Sequence, residues 1–443
     1  MQQNLTEGPI TKKLIIFALP LMVGNILQQL YNIIDTLIVG RVLGEIALGA
    51  VGSSFALMTF LNSIIMGLCM GSSAYFSMQY GKKDYDRLRQ SSFVAFLAIG
   101  IAALGINAAV YAGIDGILWF LRVPEVSVPV MKEYLLYIFA GILAVFLYNF
   151  LANLLRAVGN SFIPLLFLGL STILNILLDL LFILQLDMGV TGAAVATVIS
   201  QYVSALGLLV YYLKKCPELR VYRKHRKWNR HILLEIAGLS GLTCVQQSVM
   251  NFGILMVQGL VNSFGTAVMA AFTAAVKIDA FAYAPVQDFG NAFSTFVAQN
   301  YGAKNDERIR KGIKSAGLMA IIFCVCISAI VYAFAEPLMN IFIESDQLEI
   351  IGIGVKYLHI EGACYVGIGL LFLFYGYYRA MNRPGVSVVL TVISLGTRVV
   401  LAYVLSAIPE IGATGIWVAI PIGWALADIA GAMLMKNKIK NDK

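Results

Sequence analysis

The sequence predicts an all-α membrane protein in which twelve transmembrane helices form two pseudo-symmetric six-helix bundles, arranged as parallel repeats. The composition, the number of long apolar segments and an internal repeat lead to this prediction. Of the 443 residues, 59% are hydrophobic and 13% are charged, whereas soluble domains have about 45–50% apolar and about 25% charged residues. The chain is therefore expected to lie in a lipid bilayer.

Spanning the hydrocarbon core takes about 20 predominantly apolar residues. The chain offers segments of this kind at 14–37, 46–79, 90–121, 130–156, 162–186, 189–213, 232–262, 267–300, 312–336, 350–378, 386–408 and 412–435. Six of these predicted spans fall in each half of the chain.

An internal repeat relates the two halves. The loop Tyr80–Arg89 returns as Tyr301–Arg310 at an offset of 221 residues, with five identities. The same offset carries Gly44 onto Gly265, and an offset of 223 relates Gly189–Gly192 to Gly412–Gly415 and Leu155–Ala157 to Tyr378–Ala380. Because each unit has an even number of spans, the repeats are expected to be parallel. We predict an N-terminal lobe at 1–213, a cytoplasmic linker at 214–231 and a C-terminal lobe at 232–443.

Basic residues predict the orientation. Most of the 32 Lys and Arg residues fall in loops on one side, with the largest cluster between Lys214 and Arg230, whereas Arg41, Arg122 and Lys132 fall on the other side. The positive-inside rule then places both termini in the cytoplasm and the chain in the inner or plasma membrane. This topology explains the net charge of +8 without a nucleic-acid partner, and we expect the chain to contact membrane lipids.

Enzymatic chemistry has little support in the sequence. The three histidines, His225, His231 and His359, form no zinc-ligand pattern, and the six cysteines show no metal-ligand spacing. We therefore predict neither an enzyme nor a resident cofactor.

The first span carries an unusual polar stripe. Its members are Asn25, Gln28, Gln29, Asn32 and Asp35. Their spacings of 3, 4 and 7 place them on one helix face, which must contact protein or water rather than lipid. Pro20 lies earlier on this span, where the missing backbone donor permits a bend. Alternatively, the amides connect helices and Asp35 reaches water at the outer end.

The fifth span adds Asn175 and Asp179, which share a helix face because they are four residues apart. With Asp35 they offer oxygen ligands suited to Na+, and two close carboxylates can instead share a proton. A purely structural hydrogen-bond cluster is the alternative. At the repeat offsets Asp35 corresponds to Met256, and Asp179 to Ala402. The first lobe alone therefore has this carboxylate pair.

Polar residues of the second lobe allow two interpretations. Lys277 and Asp279 are two residues apart and are expected to point in different directions, either toward structural partners or toward substrate. For Glu361 we favour a hydrogen bond within the lobe. Candidates for a substrate cavity, which would take small organic cations, come from both lobes: Gln28, Gln29, Tyr31, Asn32, Asn153, Gln247, Asn251, Lys277, Asp279, Tyr283 and Gln287.

Several of these motifs together resemble the multidrug and toxic compound extrusion (MATE) transporters of bacteria. They are Ala18-Leu-Pro20, the stretch from Gln29 to Gly44, the paired loops at Tyr80 and Tyr301, and Arg156-Ala-Val-Gly-Asn160. The resemblance covers the chain from about Thr11 to Met435.

This resemblance implies a monomeric antiporter that exports lipophilic cationic drugs in exchange for H+ or Na+. It implies a first-lobe cation site made by Asp35, Asn175, Asp179 and Thr197, with Pro20 as the place where the first helix bends. Some members carry an acidic residue midway along helix seven for a second-lobe site. Here that region offers Gln247, Ser248 and Asn251, which argues against a second Na+ site.

Other membrane proteins fit less well. A lipid-linked precursor flippase of related fold is the main alternative, but its pyrophosphate calls for several cavity cations, and only Lys277, Lys356 and Arg398 qualify. A major-facilitator transporter has a different loop after its second helix, and a simple channel does not need an asymmetric acidic site.

Overall fold

The computed structural model describes residues 3–120, 125 and 127–441, so that Arg122 lies outside the described residues. Nearly all of the described chain is helical. The long helices are α1 Ile10–Gly40, α2 Gly49–Gly81, α3 Tyr85–Ala112, α4 Val128–Ala157, α5 Phe162–Gln185, α6 Gly189–Lys215, α7 Arg230–Asn262, α8 Thr266–Gly302, α9 Asp306–Ala333, α10a Leu348–Gly362, α10b Tyr365–Ala380, α11 Pro384–Ser406 and α12 Thr414–Lys436.

The number of membrane-spanning helices agrees with the sequence prediction. Eleven helices of the described chain are long and apolar enough to cross a bilayer. The pair α10a and α10b, bent by 51° at a short break, makes a twelfth when it is counted as one span. The predicted all-α class is confirmed.

The backbone repeats the sequence repeat. Gly44, between α1 and α2, has φ 83°, and its equivalent Gly265, before α8, has φ 99°. Both positions need glycine, because a Cβ disfavours a positive φ. Lys83 and Lys304 both adopt left-handed conformations, with φ of 59° and 55°. The two loops of similar sequence thus also have similar backbone conformations.

By its contacts the chain divides into two compact units, and the divisions fall inside helices. Unit 1 comprises Val23–Cys244 together with the residues before Leu5. Unit 2 comprises Leu5–Met22 together with the chain from Val245 onward. The first part of α1 therefore belongs to unit 2 and the first part of α7 to unit 1. The predicted linker 214–231 lies within unit 1, and the predicted lobe boundaries stay a prediction.

Close packing in unit 1 explains why the start of α7 belongs there. Gly67 and Gly71 lie one helical turn apart on α2, and a Cβ on them would lie 2.6 Å from Cys244 Cα and 2.4 Å from Ser240 Cα. The two helices approach this closely only because all four residues are small. The hydroxyls of Ser72 and Ser240 add a hydrogen bond of 2.9 Å.

Unit 2 has an equally close contact between α8 and α10b. A Cβ on Gly376 would lie 2.5 Å from the carbonyl oxygen of Gly290, and one on Gly290 would lie 2.8 Å from that of Phe372. Glycine at these positions lets the helix backbones touch. The packing holds α8, which carries Asp279, beside α10, which carries Glu361.

Candidate cation site

The predicted first-lobe residues are brought together inside unit 1 by α1, α5 and α6. Asn175 and Asp179 lie one turn apart on α5 and are buried, at 3% and 0% exposure. Directly after Asp179, the helix widens to a π-helical segment, Leu180–Gln185. Such segments are rare and occur often at functional sites. Here the segment ends α5 just beyond the buried carboxyl group.

A chain of hydrogen bonds connects α1, α6 and α5. The hydroxyls of Tyr31 and Thr197 lie 3.1 Å apart. The amide of Asn175 accepts from the Thr197 backbone N–H at 3.1 Å and donates to Asp179 Oδ2 at 3.0 Å. Its oxygen also lies 3.3 Å from Thr197 Oγ1. In this arrangement Tyr31 donates to Thr197, Thr197 donates to Asn175, and Asn175 donates to Asp179.

Asp35 completes the site by a direct interaction with Asp179. A hydrogen bond joins the two carboxyl groups. Two ionised carboxylates can only accept hydrogen bonds, so this contact requires a proton on one of them or a cation between them. The Oδ1 atoms of both residues are buried and accept no hydrogen bond from the described part of the chain. The site thus has unused acceptor capacity.

These atoms also satisfy the chemistry of Na+ binding. The carboxyl groups of Asp35 and Asp179 and the hydroxyl of Thr197 are oxygen donors, the ligand type that hard cations prefer. In the described residues, no group of three or more His, Cys, Asp or Glu side chains could hold a metal ion. Any Na+ here would therefore depend on two carboxyls and neutral oxygens.

Tyr134 is a buried neighbour of this site that sequence reasoning missed. It lies on α4, is 8% exposed, and interacts electrostatically with both Asp35 and Asp179. Nothing in the pattern distinguishes it from the other tyrosines, of which the chain has 21. Tyr31 had been expected in a substrate cavity, and the structure connects it to Thr197.

Pro20 lies inside α1, in which helical geometry continues through it. It precedes by two residues the point, between Met22 and Val23, where the chain changes from unit 2 to unit 1. The predicted bend is therefore located next to a division between compact units. Whether Pro20 bends the helix stays a prediction.

The other predicted cavity residues of unit 1 differ in their surroundings. Gln28 is exposed, and Gln29 and Asn32 are half-buried and lie 3.4 Å apart at their amides. Asn153 is buried, and its amide donates to the carbonyl of Asn149 at 2.9 Å. This bond is made within α4, to the residue one turn earlier, so Asn153 has a partner on its own helix.

In unit 2, Lys277 and Asp279 point apart, as predicted. Lys277 is exposed, and its ammonium lies 5.8 Å from the centre of the Phe342 ring. Asp279 is only 1% exposed. The remaining cavity candidates of this unit, Gln247, Asn251, Tyr283 and Gln287, are half-buried, and the ring of Tyr283 lies 6.4 Å from that of Phe372. A shared substrate cavity stays a prediction.

The buried Asp279 belongs to an acid–tyrosine cluster. Tyr357 donates to its Oδ2 at 2.6 Å, and Tyr365 donates to its Oδ1. Glu361, 3% exposed, is hydrogen bonded to Asp279 and Tyr357 and has Arg398 nearby. The preferred interpretation of Glu361 as a residue bonded within its lobe is thus confirmed.

The second lobe has no equivalent of the Asp35 and Asp179 pair, but it holds a carboxylate pair elsewhere. Asp279 and Glu361 form a second pair, on α8 and α10a. The comparison at the repeat offsets pairs α1 with α7 and α5 with α11. It does not include α8 and α10a, which carry Asp279 and Glu361. Asp428 on α12 also escaped notice, and its Oδ1 is buried without a hydrogen-bond partner in the described chain.

The fold and the intramembrane acidic site define a class, the multi-pass helical transporters with two repeats. The MatE family model matches the chain twice, at residues 20–181 and 243–404. The chain belongs to this family, the MATE transporters. The two matches cover both repeats.

Individual relatives agree with this assignment. The probable multidrug resistance protein YpnP of Bacillus subtilis is 32% identical over 88% of this chain and 87% of its own length. The multidrug export protein MepA of Staphylococcus aureus is 25% identical over 97% of this chain and 94% of its own. A crystal structure of a MATE in complex with MaL6 superposes with a TM-score of 0.93 at 24% identity, covering 99% of this chain and 98% of that one.

Proposed function

We propose that this protein exports lipophilic, mostly cationic drugs and toxins by alternating access, driven by an inward flow of H+, Na+ or both. The observation that carries the proposal is the direct contact between the carboxyl groups of Asp35 and Asp179. Transport against a gradient requires an ion that favours one conformation over another. A carboxyl pair that must hold a proton or cation to stay together supplies such a dependence.

Protons are the better candidate for the driving ion. The amide of Asn175 donates to Asp179, so the group next to the carboxyl pair acts as a hydrogen-bond donor, whereas Na+ would need its oxygen. A shared proton needs no further ligand. When the proton leaves, the two like charges repel each other, which separates α1 from α5. When a proton binds, α1 is drawn toward α5 and bends near Pro20.

The relatives support export as the direction and drugs as the substrates. YpnP and MepA are described as multidrug resistance and multidrug export proteins, which favours this function over a flippase for lipid-linked precursors. We place the protein in the cell membrane with both termini in the cytoplasm, as the distribution of basic residues predicts.

Reconstituted liposomes provide the test. The protein should expel a cationic dye when a pH gradient alone is imposed, and it should fail to do so when no gradient is present. A sodium gradient at constant pH forms the second arm. If dye moves only in that arm, protons are not the driving ion, although the assignment of the site survives.

A control variant makes the assay specific. Asp115→Asn changes an exposed aspartate that pairs with Lys132, and it should export normally. If the wild-type protein moves no dye under either gradient but does move a fluorescent lipid-linked precursor, the export proposal is refuted and the flippase is favoured.

A further inference from the structure

The repeated loop contains one arginine in each copy that the transport site does not use. Arg87 and Arg308 are equivalent at the offset of 221. Each follows a helix N-cap whose side chain accepts from the arginine's own backbone N–H: Asp84 at 3.0 Å and Asn305 at 3.1 Å. The two guanidinium groups are therefore held by equivalent turns, one in each copy of the loop.

In unit 2, Arg308 holds the segment that leads into α1. Its Nε donates to the carbonyl of Leu5 at 3.1 Å, Nη2 to that of Glu7 at 2.9 Å and Nη1 to that of Gly8 at 2.8 Å. Two residues of α8 also bond the Leu5 backbone. Gln299 accepts from the Leu5 N–H at 3.2 Å, and Asn300 donates to the Leu5 carbonyl at 3.3 Å. The Leu5 side chain is fully buried.

In unit 1, Arg87 holds the start of α7. Its Nη2 pairs with Glu235 Oε2 at 2.8 Å, and its Nε donates to the hydroxyl of Tyr75 at 3.0 Å. Tyr75 in turn donates to the same Glu235 oxygen at 2.6 Å. The glycine contacts of α2 with Ser240 and Cys244 hold the next two turns of α7.

Each copy of the loop thus binds the beginning of the other repeat's first helix. We propose that Arg87 and Arg308 are positioning residues that anchor the leading segments of α7 and α1, so that these two helices bend where they leave those segments when the coupling ion binds. The segments end at Cys244 and Met22. Pro20 lies beside the second of these points. The transport part of this inference rests on the proposed function, whereas the anchoring itself does not.

The two anchors differ in a way that sharpens the test. Arg308 binds three backbone carbonyls, and only the planar fork of a guanidinium reaches all of them. Arg87 instead pairs with the Glu235 carboxylate, and an ion pair can be restored by exchanging the two charged residues. Arg308→Lys should therefore behave nearly like Arg308→Ala, and Glu235→Arg should rescue Arg87→Glu.

Hydrogen–deuterium exchange of the purified full-length protein measures the anchoring directly. In Arg308→Ala and Arg308→Lys, amides in residues 5–13 should exchange about tenfold faster, with the rest of the chain unchanged. Arg310→Ala, at an exposed arginine of the same loop, should leave exchange unaltered. In Arg87→Glu the faster exchange should appear at 231–240, and it should return to normal in the double variant Arg87→Glu, Glu235→Arg.

Two results would overturn the inference. One is unchanged exchange in residues 5–13 of both Arg308 variants, and the other is an equal rise throughout the chain, which would indicate general destabilisation. The transport arm compares gradient-driven dye export with dye binding: Arg308→Lys should bind dye with unchanged affinity and export it more slowly. Faster exchange with unaltered export would refute the role in bending and leave the proposed function intact.

Discussion

Each unit brings a pair of carboxyl groups together, but the hydrogen-bond donors around the two pairs differ. In unit 1, Asp35 and Asp179 each keep a buried oxygen without a partner in the described chain. In unit 2, hydroxyls from Tyr357 and Tyr365 bond both oxygens of Asp279, and Glu361 alone of this pair keeps a buried oxygen without a partner in the described chain. Burial alone therefore does not distinguish an ion site from a structural cluster. The number of fixed donors around the acids does.

This difference predicts different roles. Fixed tyrosine donors hold Asp279 in a single arrangement, because each hydroxyl donates to one of its oxygens, whichever of Asp279 and Glu361 carries the proton that their own hydrogen bond requires. Within the part of the chain that the structure describes, only Asn175 donates to this pair from outside it, so the arrangement of Asp35 and Asp179 depends on a bound proton or cation. We expect the unit 1 pair to couple transport and the unit 2 pair to stabilise the fold.

The largest effect is expected from removing either acid of unit 1. Asp35→Asn and Asp179→Asn should each abolish export against a gradient while leaving expression and much of the dye binding intact. The asparagine keeps the shape but can no longer gain or lose a proton. Export per molecule in liposomes measures this, and Met256→Leu, at the position equivalent to Asp35, should have a mild effect.

Asp279→Asn makes this comparison decisive. We expect it to lower the stability of the protein more than its ability to couple. If Asp279→Asn abolished gradient-driven export in well-folded protein while Asp35→Asn did not, the proposed roles of the two pairs would be reversed.

An intermediate effect is expected at the tyrosines of unit 2. Tyr365→Phe leaves Asp279 Oδ1 without its donor, and an unsatisfied buried acceptor costs about 1–3 kcal/mol. Thermal unfolding in detergent should show a lower transition temperature. Tyr403→Phe on α11, where the side chain is 51% exposed, serves as the control and should unfold like the wild type. Equal transition temperatures for the two variants would argue against a stabilising cluster.

The smallest effect is expected within the hydrogen-bond chain of unit 1. Thr197→Val keeps the volume but removes the hydroxyl between Tyr31 and Asn175. A net hydrogen bond contributes about 1 kcal/mol, so the initial rate of gradient-driven export should fall roughly fivefold. Thr273→Val, at an exposed threonine that bonds only the Met269 carbonyl in the described chain, should leave the rate unchanged. An unaltered rate in Thr197→Val would restrict the site to the carboxyl pair and Asn175.

Part of the candidate site could be predicted from the sequence, for a clear reason. Asp35, Asn175 and Asp179 are polar residues in apolar spans, and polar groups in the hydrocarbon core are costly unless they are used. Thr197 came only from the resemblance to a family, because one threonine on a helix carries no such signal. Tyr134 could not be found at all, since tyrosine suits a buried helix as well as a site.

The sequence by itself determined the membrane location, the helical class, the repeat and the helices that carry the first acidic site. These follow from local properties: apolar length, periodicity and equivalent positions at a constant offset. Only the tertiary structure decided that Asp279 pairs with Glu361, that Arg308 binds the carbonyls of Leu5, Glu7 and Gly8, and that the start of each repeat's first helix packs with the other repeat. Contacts between distant segments depend on how helices pack, and small residues such as Gly67 and Gly71 allow that packing without revealing which helix will fill the space.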